Sequence, residues 1–309
     1  MGMADAKWTD DVLEGYSRTP LGAATLVRPP SQPDAPKSVV LHVHGYNDYF
    51  FQTHLAEAFV DSGRAFYAVD LAKAGRSLVP GDIPHYMENV AEQGDDIDAA
   101  VGAIAELHRG LPIVVHGHST GGLTTAIWAA DRGHPALAGL ILDSPLFGKR
   151  YGALQRAGSH ALPLLAAVRP RGIVSHGPSI YATHQHVSGG GRWDFDVTWK
   201  RPHGLPARVA WANAVREAEG RVVKGLGVSV PVLVARSDSS GPDVASNPRL
   251  DSQDTVLDVK RIAAMAPLLG DRVTELVVQG GVHELSLSRD EPRARYMQGV
   301  LDWLDSVFA

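Results

Sequence analysis

The run Ile113-Val114-Val115-His116-Gly117-His118-Ser119-Thr120-Gly121 passes from a continuous apolar stretch, through a glycine-flanked serine, into Leu123-Thr124-Thr125-Ala126-Ile127-Trp128, a segment of helical character. Consecutive apolar residues suit a strand covered on both faces, where no polar side is required. Gly-x-Ser-x-Gly alone recurs by chance, but between a buried strand and a helix it marks a sharp turn that lifts the serine out of the sheet. Such a turn needs unusual backbone angles, and Gly117 and Gly121 remove side chains that would collide with the strand or the helix. The helix that follows points its unpaired amides and positive dipole end at the place where negative charge would develop. Ser119 is therefore the candidate nucleophile.

The same strand-to-helix step recurs along the chain. Short β-rich runs at 38–43, 65–69 and 111–116 precede helical segments at 49–61, 87–109 and 119–132, and Leu140-Ile141-Leu142 supplies another buried strand. This alternation predicts an α/β chain with a mostly parallel central sheet and helices on both faces. Residues 22–28 look like an entry strand, cut off from the first buried strand by the proline-rich loop 29–33. After Pro145 the alternation fails until Val230-Pro231-Val232-Leu233-Val234. It resumes there with a helix near 259–269, a strand at 273–278 and a final helix.

The interruption predicts an inserted cap. The expected organisation is a core formed by 1–146 and 213–309, with a cap over 147–212. The insertion holds a glycine run at Gly189-Gly190-Gly191 and clustered aromatics at Trp193, Phe195 and Trp199, the composition of a flexibly connected cover over a site. Those aromatics can equally be packing that joins insertion to core.

Composition narrows the chemistry. With no cysteine in 309 residues, disulfides, thiolate catalysis and cysteine-bound metals are excluded. A net charge of -5 argues against nucleic acid as a partner. The start Met1-Gly2-Met3-Ala4-Asp5-Ala6-Lys7-Trp8 lacks the basic and apolar regions of a secretion signal, so a cytoplasmic location is expected. Apolar patches such as 161–168 fall far short of the roughly 20 residues that span a bilayer, so no transmembrane segment is expected.

Two further segments carry a family resemblance. Leu41-His42-Val43-His44-Gly45-Tyr46 is similar to the strand followed by His-Gly of the α/β-hydrolase superfamily, and Asp70-Leu71-Ala72-Lys73-Ala74-Gly75-Arg76-Ser77 is similar to its Asp-x-x-Gly-His-Gly-x-Ser loop. In the second segment Ala74 stands where that family usually has histidine. Together with the Ser119 motif they resemble most the monoglyceride lipase, lysophospholipase and serine aminopeptidase-like branch, over nearly the whole chain. The resemblance implies an α/β-hydrolase fold with an oxyanion hole made by the backbone N–H groups of Tyr46 and Thr120. It would leave the Tyr46 side chain free for the pocket.

His283 follows the strand at 273–278 through Gln279-Gly280-Gly281-Val282, which places an imidazole in a loop at the carboxyl edge of the sheet. An imidazole with a pKa near 6.5 can take the serine proton and return it to the leaving group, so His283 is the expected general base. The other histidines fit less well, because His42, His44, His116 and His118 lie in or beside strands. An acid must orient the imidazole, and two aspartates compete. Asp254, in Asp254-Thr255-Val256-Leu257-Asp258, resembles the family's acidic run before the next helix and is preferred. This choice makes 239–253 a loop extension, which costs little in closure entropy. Asp238, soon after the strand 231–234, is the second choice, and Asp143 is a third. Asp258 is read as the cap of the helix near Val259.

The expected activity is hydrolysis of a carboxylic ester through an acyl-enzyme, without cofactor or metal. Leu162, Leu164, Leu165, Ile173, Ile180 and the aromatics of the insertion favour an apolar acyl or alcohol group on the small-molecule substrate. Alternatives are acyl transfer or lactone formation by the same three residues, and amide or peptide hydrolysis, for which Asp194 or Asp196 would have to anchor a free amine. The pair His42 and His44, two apart on a strand, is also a conceivable metal pair, but Asp48 and His54 do not complete a familiar ligand spacing.

Overall fold

The computed structural model describes residues 6–148, 160–176 and 179–308. Strands β1 (Thr9–Asp10), β2 (Ser17–Leu21) and β3 (Ala24–Arg28) form an antiparallel edge. Strict alternation follows through β4 (Val39–Val43), α1 (Thr53–Asp61), β5 (Ala65–Asp70), α2 (Val90–Leu107), β6 (Ile113–His118), α3 (Thr120–Asp131) and β7 (Leu137–Asp143). Then come α4 (Leu162–Val168), β8 (Ile173–Ser175), α5 (Ile180–Gln185), β9 (Ala207–Arg208) and α6 (Val209–Val223). The chain closes with β10 (Val232–Ser237), α7 (Val259–Met265), β11 (Val273–Val278) and α8 (Asp290–Val307).

The main sheet has the order β1-β2-β3-β5-β4-β6-β7-β10-β11. From β5 to β11 every pairing is parallel, and β3 joins β5 antiparallel. Successive residues of each central strand serve opposite cores. Val39, Leu41, Val43, Ile113, Val115, Leu140 and Leu142 face a core closed by α2, α3, α6 and α7. Val40, Val114 and Ile141 face a second core closed by Phe59 of α1 and by Tyr296, Val300 and Leu304 of α8. A strand with two apolar faces has no solvent side, which explains the unbroken apolar runs in the sequence.

Three features were not legible from periodicity. The entry strand at 22–28 is the last of three edge strands; β1 has only two residues, and β2, Ser17-Arg18-Thr19-Pro20-Leu21, is largely polar, so neither shows as an apolar run. Helix α6, silent in the alternation pattern, begins at Val209 and buries Trp211, Ala214, Val215, Ala218 and Val222 in the first core. The expected helix near 259–269 is α7 continued by a tighter turn at Ala266–Leu268, where Pro267 ends regular helical bonding. Its Asp258 accepts a hydrogen bond from the Lys260 amide at 3.1 Å and caps the helix as expected. Among the described residues no helix is long and apolar enough to cross a membrane.

Buried imidazoles hold the carboxyl ends of β4 and β6. His42 Nδ1 meets His116 Nδ1 at 2.8 Å, in register across the two strands, and His116 Nε2 meets the Tyr296 hydroxyl at 2.7 Å. His44 Nε2 accepts the Leu71 amide at 3.1 Å, so its Nδ1 carries the proton and donates to the Gly45 carbonyl at 2.8 Å. Burial lowers the pKa of His42, His44, His85 and His118, and takes His116 down to about 4. An unfolded chain takes up these protons from about pH 6.5 downward, whereas the folded chain does not. Stability is therefore complete above that pH and falls as pH drops towards 4. Each such histidine contributes a slope of up to about 1.4 kcal/mol per pH unit. Urea midpoints measured from pH 7.5 to 4.5 are expected to fall, and to fall less steeply in His116→Asn.

Candidate active site

The site is built at the carboxyl end of β6. Ser119 follows that strand with φ 52° and ψ -116°, and α3 starts at the next residue. A Cβ on Gly121 would stand 2.3 Å from the His44 carbonyl oxygen and 2.6 Å from that of Val43. Only glycine lets the start of α3 pass so close to β4, which explains the second glycine of the motif. The first turn of α3 thereby lies against the His44-Gly45-Tyr46 loop.

Ser119, His283 and Asp254 come together although far apart in sequence. Ser119 Oγ is 3.0 Å from His283 Nε2, and His283 Nδ1 is 3.0 Å from Asp254 Oδ2. The carboxylate can only accept, so Nδ1 carries the proton and Nε2 is left to accept from the serine hydroxyl. Asp254 is fully buried, and its Oδ1 accepts the amides of Val256 at 2.8 Å and Leu257 at 2.7 Å. Its own backbone bridges to the segment just after β10, with its amide donating to the Ser239 carbonyl at 3.0 Å. The loop 239–253 thus leaves and returns to the sheet end beside His283.

Asp238 is not brought to the histidine. Its side chain is exposed, and its Oδ1 accepts the Gly280 amide at 2.9 Å, pinning the turn after β11. Asp143 braces the same region from below: its carbonyl accepts the Ser119 amide at 3.0 Å, and its carboxylate accepts the Leu285 amide at 3.2–3.3 Å. Burial and the neighbouring Glu284 raise its pKa well above the carboxylate range.

Thr120 opens α3, so its amide has no partner one turn back in the helix. Tyr46, on the facing loop, lines the same cavity, of about 210 Å³, as Ser119, Thr120 and His283. Its phenol is not free, because the hydroxyl donates to the Pro206 carbonyl at 3.0 Å and the ring packs 4.3 Å from Trp211. The apolar lining comes from Leu146, Leu205, Trp211 and Val256. This differs from the expectation for the insertion: Leu164 is 71% exposed on α4, and Leu162, Leu165 and Ile173 do not line the cavity. Ile180 borders a separate pocket. Phe195, Trp193 and Trp199 pack with Tyr49, Phe51 and Leu287, joining the insertion to the core. Asp194 points to solvent, and Asp196 binds the Thr198 amide and hydroxyl, so neither supplies an anchor inside the cavity.

A group of buried charges escaped the sequence reading. Asp48, His118 and Glu284 present ligand atoms within 4.8 Å of one another, a spacing that could suit a metal ion. The Lys200 ammonium stands between the carboxylates, 2.8 Å from Asp48 Oδ1 and 3.2 Å from Glu284 Oε2, and so provides the cation itself. Burial pushes Asp48 upward against the pull of Lys200. It acts the same way on Glu284, but Lys200 and the Gln52 amide outweigh it and hold Glu284 below its usual value. Glu284 could have been noticed as the neighbour of His283. Nothing in local periodicity marks which lysine of the insertion turns inward.

Known proteins share this framework. A family model described as "Serine aminopeptidase, S33" matches residues 34–190, just over half of the chain. Phospholipase YtpA of Bacillus subtilis is 26% identical over 125 residues, 37% of this chain and 43% of that protein. The monoacylglycerol lipase of Mycolicibacterium smegmatis is 33% identical over 109 residues, 35% of this chain and 38% of that protein. The chain thus matches less than half the length of these curated relatives. A soluble variant of monoglyceride lipase from Saccharomyces cerevisiae, solved with a substrate analogue, superimposes with a TM-score of 0.70 at 17% identity, covering 98% of this chain and 96% of that one. The sheet order, the strand-serine-helix turn and the family match agree: the chain belongs to the serine aminopeptidase family of α/β-hydrolases.

Proposed function

We propose that the protein hydrolyses carboxylic esters, with Ser119 as nucleophile, His283 as general base and acid, Asp254 as the orienting acid, and the amides of Tyr46 and Thr120 as the oxyanion hole. The observation that carries this reading is the hydrogen-bond chain from Ser119 Oγ through His283 to Asp254, at 3.0 Å for each link, opening on a cavity. His283 Nε2 takes the serine proton as Oγ bonds to the ester carbon. The two amides receive the negative charge on the carbonyl oxygen, an effect worth about 2.7–4 kcal/mol per donor. Collapse breaks the bond to the alcohol oxygen, which leaves with the proton from His283. Water, deprotonated by the same imidazole, then releases the acid and restores the serine.

Asp254 suits the orienting role because two backbone amides fix one of its oxygens while the other faces the imidazole. The apolar residues Leu146, Leu205, Trp211 and Val256 favour an ester with an apolar acyl or alcohol group. The similarity to a phospholipase and to monoacylglycerol lipases favours the same class. In this reading the insertion, expected over 147–212, covers the site as a cap through its described residues 160–176 and 179–208, residues 149–159 and 177–178 lying outside those described, while α6 is already packed on the core from Val209 onward.

Peptide hydrolysis from a free amino terminus is the second reading, favoured by the description of the family. It is less well supported, because the two carboxylates in the cavity already share the Lys200 ammonium and a second cation would meet that charge.

A chain-length series of chromogenic esters, an amino-acid arylamide and a fluorophosphonate label separate these readings. Wild type is expected to turn over esters faster than the arylamide and to be labelled at Ser119. In Ser119→Ala both turnover and labelling are lost, and absence of both in wild type would reject the hydrolase reading. Asp254→Asn is expected to lower kcat by about 10⁴, since the imidazole loses its orientation. Asp238→Asn, a change at an exposed turn, leaves kcat within about twofold. Equal rates for Asp254→Asn and wild type would remove Asp254 from the mechanism.

A further inference from the structure

Four consecutive residues of the loop after β4 are bonded to one distant segment of the chain. The Tyr46 hydroxyl donates to the Pro206 carbonyl at 3.0 Å. Asn47 Nδ2 donates to the Arg201 carbonyl and its Oδ1 accepts the Arg201 amide, both at 2.9 Å. Asp48 Oδ1 accepts from Lys200 Nζ at 2.8 Å, and the Tyr49 hydroxyl accepts the Asp196 amide at 2.7 Å. The same segment grips the loop that carries His283, because Lys200 Nζ also donates to Glu284 Oε2 at 3.2 Å and Trp193 Nε1 donates to the Leu287 carbonyl at 2.9 Å. Lys200 alone among these residues bonds both loops with one group.

We propose that Lys200 is a positioning residue for ester hydrolysis: its buried ammonium clamps the loop bearing the Tyr46 amide to the loop bearing His283, and residues 193–206 form a fixed strap of the active site. The inference rests on the hydrolase reading above. Two buried carboxylates facing each other at this distance repel, and without a cation between them one must take up a proton or move away. Either response shifts a residue next to the base, Glu284, or a residue two places from an oxyanion donor, Asp48. Both sit on loops whose relative placement decides whether nucleophile, base and donors meet the same ester group. The Asn47 pair fixes the strap along the backbone, where no charge is involved. Asn47 itself adopts φ 57°, a left-handed conformation that places its amide towards residue 201.

Removing the clamp should therefore slow the chemical step more than it weakens substrate binding. In Lys200→Met, kcat on a small chromogenic ester is expected to fall about tenfold or more, with KM within about threefold of wild type, because misplaced groups cost rate rather than uniform binding. The fluorophosphonate labelling rate of Ser119, which involves no ester substrate, should fall in parallel. Lys200→Arg, which keeps the cation, should recover part of both rates.

Asn47→Gly provides a test free of buried charge, since glycine retains the left-handed backbone while both bonds to Arg201 are lost; kcat should fall about threefold or more. If Lys200→Met does not fold, Asn47→Gly decides. Wild-type kcat and labelling rate in folded Lys200→Met, or in Asn47→Gly where Lys200→Met is unfolded, overturn the proposal. So does an effect confined to KM, which would make Lys200 a substrate contact. Wild type assayed alongside separates the two levels: if it neither turns over esters nor labels at Ser119, the hydrolase reading fails, whereas an active wild type with equally active variants rejects only the clamp.

Discussion

The backbone of Ser119 is the constraint around which the molecule is arranged. A residue other than glycine at φ 52° and ψ -116° is strained, at a cost of order 1–3 kcal/mol, and persists only where its surroundings over-determine it. Three backbone bonds do so here. The Ser119 amide donates to Asp143 at 3.0 Å, and its carbonyl accepts Leu123 at 3.1 Å and Leu146 at 2.9 Å. These partners belong to β7, α3 and the segment after β7, so the turn is held by a strand on one side of β6 and a helix above it. On the other side, the absence of a Cβ at Gly121 lets α3 touch β4. Relaxing the serine would require moving the centre of the sheet, whose strands are buried on both faces.

That central position explains what the sequence made legible. Strands buried on both faces must be apolar throughout, and a strained serine must be flanked by glycine, so β6, α3 and Ser119 are written in local pattern. His283 is nearly as plain, because it lies just beyond the last strand and the chain order permits few others. The choice between Asp254 and Asp238 depended on how loop 239–253 folds back, and local sequence carries that only weakly, since a longer loop costs little to close. Asp254 meets His283 because its backbone pairs with residues 239–241 at the sheet end. Asp238 is held away by its bond to Gly280.

Less was legible in the insertion, and for a physical reason. Its aromatics and aliphatics announce burial but not the partner, and apolar residues on α4 proved exposed while Leu146, Leu205 and Val256 line the cavity. Helix α6 is as deeply embedded as α2, yet its polar residues Asn213, Arg216 and Glu217 dilute the apolar stripe. The four histidines beside β4 and β6 are a related case. The spacing of His42 and His44 permits a metal pair, but each of the four imidazoles already has a partner in the protein: His42 and His116 bond each other, His44 bridges two loops, and His118 approaches Asp143. Imidazoles kept neutral by burial serve here as hydrogen-bonding cross-links.

The charges around Lys200 answer to a different economy. Desolvating an ammonium and two carboxylates is costly, and apolar residues of similar volume would often stabilise a core at least as well. A cluster of this kind beside a strained serine is therefore better understood through what it fixes in space than through what it adds to stability. It connects elements that the sheet alone does not connect, since the Tyr46 loop leaves β4 and the His283 loop leaves β11, at the far edge of the sheet. Parallel strands place both loops at one end, and contacts across that end, the Lys200 bonds to Asp48 and Glu284 among them, set their separation. An ammonium suits this purpose because it can bond carboxylates from two directions at once, and it fails visibly when either partner moves.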